Sequence, residues 1–313
     1  MSIASYIKVI GRGQDGARPL SDEQAHDLLT QVFNGQVSDL EIGAFCLAMR
    51  IKGESTEELT GFVRAAHEHC VPLASVGSEI GLPLVVLPSY NGARKLPNLT
   101  PLLAWALSQQ GLRVLVHGPE ADRTRVTSYD VFQALNWPVV SSATTLLDAW
   151  RSGHPAFMAI ATLCPPLAKL LDVRWIVGLR NSGHTVAKLL NPFEGAAVPS
   201  IRVVNHTHPE YAHSLTAYLE HSQARALLMR GTEGEPVADA RRQPRFDVFL
   251  HGSKRPDLGR TPQEGVLTQL PELPTSFDAV ATAQYIQDVV DGKRPLPEAI
   301  RVQVECLVQA LAA

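Results

Sequence analysis

Apolar residues in the first 70 positions recur three and four apart, the spacing that puts them on one face of an α-helix. Leu28, Leu29, Val32 and Phe33 form one such set, Ile42, Phe45, Cys46 and Met49 a second, and Leu59, Phe62, Val63 and Ala66 a third. Each set is preceded by the same polar signature: Ser21 with Gln24, Ser38 with Glu41, and Ser55 with Glu58. In such a capping box the serine oxygen accepts the third backbone N–H, and the Gln or Glu reaches back to the serine N–H. Asn34-Gly35 and Lys52-Gly53 close the first two helices, because glycine accepts the left-handed conformation at a helix end. The pattern predicts a small module of short antiparallel helices.

From about residue 81 the period changes. Short apolar runs at 82–87, 113–116, 139–140, 156–161, 201–204, 226–229 and 246–250 read as strands. Amphipathic stretches at 99–110, 129–136 and 210–221 read as helices between them, and 277–290 and 298–311 as two more at the end. Strands and helices alternating in this way predict a mainly parallel sheet with helices packed on it. The stretch from Asp291 to Pro297 is a break, and 231–245 and 251–274, rich in Gly, Pro and Arg, read as loops.

Composition narrows the setting more than the chemistry. Of 313 residues, 45% are hydrophobic, so a sizeable core can form. No apolar run reaches the length of a membrane span, and the first ten residues carry no secretory pattern, so a cytoplasmic protein without a membrane partner is expected. Four scattered cysteines without a C-x-x-C pair argue against a disulfide framework and a structural zinc site. His67, His69 and Cys70 end a helix, where His suits the dipole, and read as structural. His206 and His208 read as a helix-entry turn, and Trp105 and Trp175 as packing. The net charge of −3 is unevenly spread: residues 81–190 hold ten Lys/Arg against five Asp/Glu, while acids outnumber bases on either side. A basic middle predicts a local anion-attracting face.

Ligands of open α/β sheets bind in the loops after the strands. Two such loops stand out. The first runs from Pro88 to Thr100 and offers Asn91, Gly92, Arg94, Lys95, Asn98 and Thr100; Tyr90 within it is a candidate platform for stacking on a base. The second runs from His117 to Ser128 and offers His117, Arg123, Arg125, Thr127 and Ser128. Both lead into helices, and a loop ending at a helix N-terminus suits phosphate.

The stretch from Asn34 to Phe45, with Arg50-Ile-Lys-Gly-Glu-Ser-Thr-Glu-Glu-Leu59, resembles the helical domain of anthranilate phosphoribosyltransferase, the glycosyltransferase family 3 scaffold shared with pyrimidine nucleoside phosphorylases. The resemblance runs in order along nearly the whole chain. Val173-Arg-Trp-Ile-Val-Gly-Leu-Arg-Asn-Ser-Gly-His-Thr-Val-Ala-Lys-Leu-Leu-Asn-Pro192 is similar to the family's substrate segment, with Arg174, Gly178, Arg180 and Asn191-Pro192 matching. The family's pyrophosphate motif Gly-Thr-Gly-Gly-Asp is here Ser89-Tyr-Asn-Gly-Ala93, although Asn98-Leu-Thr100 keeps the Asn-x-Ser/Thr that follows it. The family's Lys-His-Gly-Asn is here Val116-His-Gly-Pro119, and its Ser-Ala-Asp-Val is Ser128-Tyr-Asp-Val131. Its Mg²⁺-binding Asp-Glu pair is replaced after Gly234 by Glu235, Pro236 and Val237.

The resemblance implies an α/β fold in two parts. A small all-α domain, residues 1–75 with a return near 163–190, would carry dimerisation. Residues 76–162 and 191–313 would form a phosphoribosyltransferase-like α/β domain of class IV with a central, mainly parallel sheet. Mg²⁺ offsets pyrophosphate charge and needs carboxylate oxygens. Their loss predicts that anthranilate phosphoribosyltransferase activity, its catalytic residues, its metal site and any cofactor are absent; Glu233 and Glu235 could substitute in principle, but their spacing and register differ from the family's pair. What is kept is basic: Arg94, Lys95, Arg123 and Arg125, with Arg174, Arg180 and Lys188 along the substrate segment. This pattern, and Arg230-Gly-Thr-Glu-Gly-Glu235, resemble the YbiB-type nucleic-acid-binding branch of the fold. The reading is a homodimer whose basic cleft binds the phosphate backbone of single- or double-stranded nucleic acid without sequence preference. The alternative is a phosphoribosyl or nucleoside glycosyl transferase of altered substrate, favoured by the retained Asn98, Thr100, His117, Arg174 and Asn191.

Overall fold

The computed structural model describes residues 2–266 and 270–313, so three positions of the 251–274 loop, 267–269, lie outside the described residues. The chain divides into two compact units, Met1–Val71 with Ile160–Pro192, and Pro72–Ala159 with Phe193–Ala313. The first is all helical and the second is α/β with a mostly parallel sheet.

In the helical unit all three predicted capping boxes are formed, opening helices Asp22–Phe33, Asp39–Lys52 and Thr56–Glu68. The faces they orient bury Leu28, Leu29, Phe45, Met49, Phe62 and Val63, with the Phe45 and Phe62 rings edge to face at 5.8 Å. Glu58 does more than cap. It is fully buried, accepts from the N–H of Leu20 at 2.9 Å and of Ser55 at 2.8 Å, and pairs with the Lys52 ammonium at 2.6 Å. The return segment rejoins through the Val71 N–H, which donates to the Leu163 carbonyl at 2.8 Å. It then builds short helices, among them Pro165–Asp172 and Gly183–Leu189.

The α/β unit is built on eight strands: β1 (Leu84–Pro88), β2 (Arg113–Gly118), β3 (Val139–Val140), β4 (Ala156–Ala159), β5 (Ser200–His206), β6 (Ala226–Arg230), β7 (Phe246–Leu250) and β8 (Ser253–Lys254). Their order is β3-β4-β2-β1-β5-β6-β7-β8. The first six in sequence are mutually parallel, and β7 and β8 add antiparallel at one edge. β1 is buried at all five positions, as a run of consecutive apolar residues in a covered parallel strand should be. Two sequence expectations are corrected. The run 156–161 is strand only to Ala159 and turns helical at Ile160; an unbroken apolar run has no period from which to read the change. The 251–274 segment contains β8, which pairs with β7 through Phe249–Lys254 and Leu250–Ser253.

From β1 the sheet extends on one side through β2, β4 and β3, and the chain, after β4, crosses back to add β5 and β6 on the other side. The strand order therefore reverses between β1 and β5, where the C-terminal ends of the strands open a crevice. The Pro88–Thr100 loop leaves β1 at this point.

Candidate anion-binding site

Three loops of the α/β unit meet at the C-terminal ends of their strands: 89–99 after β1, 119–127 after β2, and 231–237 after β6. The first two are joined by an antiparallel bridge. The Ala93 N–H donates to the Val126 carbonyl at 2.7 Å and the Val126 N–H returns to Ala93 at 2.9 Å. Arg125 adds a bond from Nη1 to the Gly92 carbonyl at 3.2 Å. The bridge draws Arg94 and Lys95, both exposed, together with exposed Arg123 and half-buried Arg125.

Beneath this rim the loop after β1 curls its amides around acceptors, as a pyrophosphate loop does, and the acceptors are the chain's own carboxylates. Glu235, 1% exposed, takes the N–H groups of Asn91 at 2.7 Å and Gly92 at 2.6 Å on Oε1. Its Oε2 accepts from the hydroxyls of Ser89 and, at 3.3 Å, Thr100. Ser89 Oγ also meets Ser128 Oγ at 2.7 Å, and Asn98 donates to Ser128 at 3.1 Å. Two residues earlier, one oxygen of Glu233 accepts three successive amides, those of Arg94 and Lys95 at 2.9 Å and Leu96 at 3.0 Å. Such a run of N–H groups is an anion nest. Burial opposes ionisation of Glu233, but the three amides and the Arg125 charge outweigh it and hold its carboxyl below the usual range.

The fit is close. Glu233 itself is at φ +53°, a left-handed conformation costing a non-glycine residue roughly 1–2 kcal/mol. Gly234, at φ +87°, has no room for a side chain, since a Cβ would stand 1.8 Å from Asn91 Nδ2. That amide donates to the Glu233 carbonyl at 2.8 Å. From below, fully buried Gln303 fixes the same loop, accepting from the Ala238 N–H at 2.8 Å and donating to the Pro236 carbonyl at 3.0 Å.

The sequence-predicted residues therefore separate. Asn91, Gly92, Asn98 and Thr100 are buried and spent on the internal carboxylate network. Arg94 and Lys95 give their backbone to Glu233 and keep their side chains at the surface. His117 is not available to a surface phosphate. It is fully buried, its Nδ1 lies 2.7 Å from the Tyr90 hydroxyl, and burial pushes its pKa down to about 3, so it stays neutral. Tyr90, 3% exposed, is likewise committed to the interior instead of offering a stacking face. Thr127 is spent on capping the helix Ser128–Ala134.

Arg174, Arg180 and Lys188 belong to the helical unit, all half-buried. The Arg174 guanidinium lies over the Trp175 ring at 4.0 Å. Nearby, burial first and then the charges of Arg180 and Arg174 push the His184 pKa down to about 3. His67 accepts from the Asn191 N–H at 3.0 Å, and His69 lies against the Ala65 carbonyl and the Asn34 side chain. His206 Nδ1 sits 3.2 Å from the His208 carbonyl, just before the helix Glu210–His221.

The Mg²⁺ implied by the fold does not suit these residues. The oxygens of Glu233 and Glu235 that face the loop are engaged by N–H and O–H donors, and among the described residues no three His, Cys, Asp or Glu are grouped to hold a metal. Ser89 and Gln303 are site residues that sequence reasoning missed, and Glu233 and Glu235, weighed there only against the family's metal-binding pair, are instead the loop's internal acceptors. The signal for the two glutamates is that they flank a glycine in the loop after a strand.

Comparison with known proteins agrees with this architecture. Residues 4–70 match the helical bundle domain of the glycosyl transferase family. The chain is 39% identical over 312 residues to YbiB of Escherichia coli, an uncharacterized protein, covering 99% of this chain and 94% of that one. It is 24% identical to the anthranilate phosphoribosyltransferase of Streptomyces griseus, over 89% of this chain and 74% of the enzyme. Among solved structures, anthranilate phosphoribosyltransferase from Thermus thermophilus superposes with a TM-score of 0.70 at 22% identity, covering 98% and 89% of the two chains. The Saccharomyces cerevisiae enzyme in complex with PRPP and Mg does so at 0.68 and 16% identity, covering 98% and 86%. With the helical bundle, the sheet order and these relatives in agreement, the chain belongs to the anthranilate phosphoribosyltransferase-like family, glycosyltransferase family 3, alongside YbiB.

Proposed function

We propose that this chain binds nucleic acid through its phosphate backbone, without sequence preference, and does not transfer a phosphoribosyl group. The observation that carries the reading is the Ala93–Val126 bridge, which gathers Arg94, Lys95, Arg123 and Arg125 around one rim. A rim of four cations attracts a polyanion, and it does so without a metal. The buried Glu235 argues against the alternative, because it already holds the Asn91 and Gly92 N–H groups of the stretch that matches the family's pyrophosphate motif. In the helical unit Arg174, Arg180 and Lys188 remain candidates for phosphate contact. A homodimer through that unit belongs to the proposal: Leu40, Leu47 and Ile51 leave an exposed apolar stripe along one helix, and sedimentation analysis checks the state.

The test is fluorescence anisotropy of labelled single- and double-stranded DNA and RNA at 50 and 200 mM salt. Four phosphate contacts predict a loss of about 50-fold in affinity for single strands over that range. Arg94→Glu should weaken binding to every sequence alike. No binding at low salt sinks the reading. The transferase alternative rests on the retained Asn98 and Thr100, and predicts thermal stabilisation by phosphoribosyl pyrophosphate that depends on Mg²⁺.

A further inference from the structure

Glu233 and Glu235 fill neighbouring parts of the same loop but are held differently. Glu235 is sealed in, and half of its donors are hydroxyls that have no other access to solvent. Glu233 is half-buried, and its three amides belong to Arg94, Lys95 and Leu96, two of them exposed residues. Three amides converging at 2.9–3.0 Å on one oxygen make a geometry that any singly placed oxyanion can satisfy. The Arg125 charge acts on that point, and Arg94 and Lys95, whose amides form the nest, are exposed at the surface, so a phosphate group there brings its further oxygens toward basic residues. The carboxylate, for its part, is delivered from a backbone in the left-handed region, which is costly for a residue other than glycine.

We propose that the Arg94–Leu96 amide nest is a phosphate-oxygen site, that Glu233 occupies it as an internal surrogate ligand in the free protein, and that an arriving phosphate displaces Glu233 while Glu235 stays in place. For a nucleic-acid phosphate this rests on the function proposed above; for inorganic pyrophosphate it does not. Glu233 is then an autoinhibitory group. It lowers affinity by competing for the nest and lets the rim release its ligand.

The experiment compares wild type with Glu233→Gln, Glu233→Gly and the control Glu120→Gln, an equal change of charge at an exposed position of the neighbouring loop. Glycine at 233 suits the φ of +53° and guards against misfolding, and glutamine keeps the side-chain volume. One arm titrates inorganic pyrophosphate by calorimetry, and the other a labelled single-stranded oligonucleotide by anisotropy. Both Glu233 variants should bind pyrophosphate at least tenfold tighter than wild type, and the oligonucleotide about tenfold tighter, while Glu120→Gln changes either by less than threefold. Gains equal to that of Glu120→Gln would show a bulk charge effect and overturn the exchange. Gain in the pyrophosphate arm with no oligonucleotide binding by any form would uphold the nest and overturn the nucleic-acid reading.

Discussion

Glu58 in the helical unit and Glu235 in the α/β unit are both buried carboxylates, and their partners could hardly differ more. Glu58 is held by donors that cannot turn around: the N–H groups of Leu20 and Ser55 and the Lys52 ammonium. Glu235 sets one oxygen on two amides and the other on the hydroxyls of Ser89 and Thr100, which rotate and can accept as well as donate. The first arrangement requires an acceptor at every contact. The second requires an acceptor on one side and tolerates a donor on the other. Burial alone therefore does not say what a carboxylate is for; the chemistry of its donors does.

Truncation separates the two sites from their surroundings most strongly. Glu235→Ala should destabilise the protein by about 4 kcal/mol, because the amides of Asn91 and Gly92 are left buried without acceptors. Denaturant unfolding measures this, and a loss under about 1 kcal/mol would mean the loop refills from elsewhere. Amide replacement then tests the comparison itself. Glu58→Gln should cost about 3 kcal/mol, since an –NH₂ must face N–H donors and Lys52, only 11% exposed, loses its counter-charge. Glu235→Gln should cost about 1 kcal/mol, its –NH₂ turning to the hydroxyls. Equal costs would break the distinction.

Acid acts on both units through one imidazole each. The pKa values of His117 and His184 lie at about 3 in the folded chain, against an ordinary value of 6.5. Between those values the unfolded chain takes up protons that the folded chain refuses. Their contribution is therefore complete above pH 6.5 and is lost as pH falls toward 3, at about 2 kcal/mol each between pH 6.5 and 4.5. His117→Gln should remove close to half of that slope in unfolding measurements across the range. The smallest effect belongs to the caps: Ser38→Ala should cost about 1 kcal/mol in the helical unit, read as a thermal shift of a few degrees.

The same contrast explains how much is legible without the fold. The caps at Ser21, Ser38 and Ser55 involve partners three residues apart, so the sequence displays both halves of each interaction. The strands after residue 81 are visible as short apolar runs, and the departures come where no period exists, as in 156–161. The loops after β1 and β2 are recognisable as candidates from their glycines and basic residues, and Arg94, Lys95 and Arg123 are exposed there with Arg125 half-buried. That His117 and Tyr90 turn inward to each other is not recognisable, because a histidine near a strand's end, which the structure places within β2, reads the same whether it faces solvent or core.

By itself the sequence determined where helices start, which segments become strands, which residues carry charge, and that the family's metal-binding acids had gone. Those are local or compositional properties, fixed within a few residues. Only the tertiary structure decided that Glu233 and Glu235 would reach across to residues some 140 positions earlier and satisfy the loop's amides. Backbone N–H groups are alike at every residue but proline, so a sequence cannot mark which ones converge; the sheet order, by setting parallel β1 and β6 one strand apart with their C-terminal ends on the same side, does.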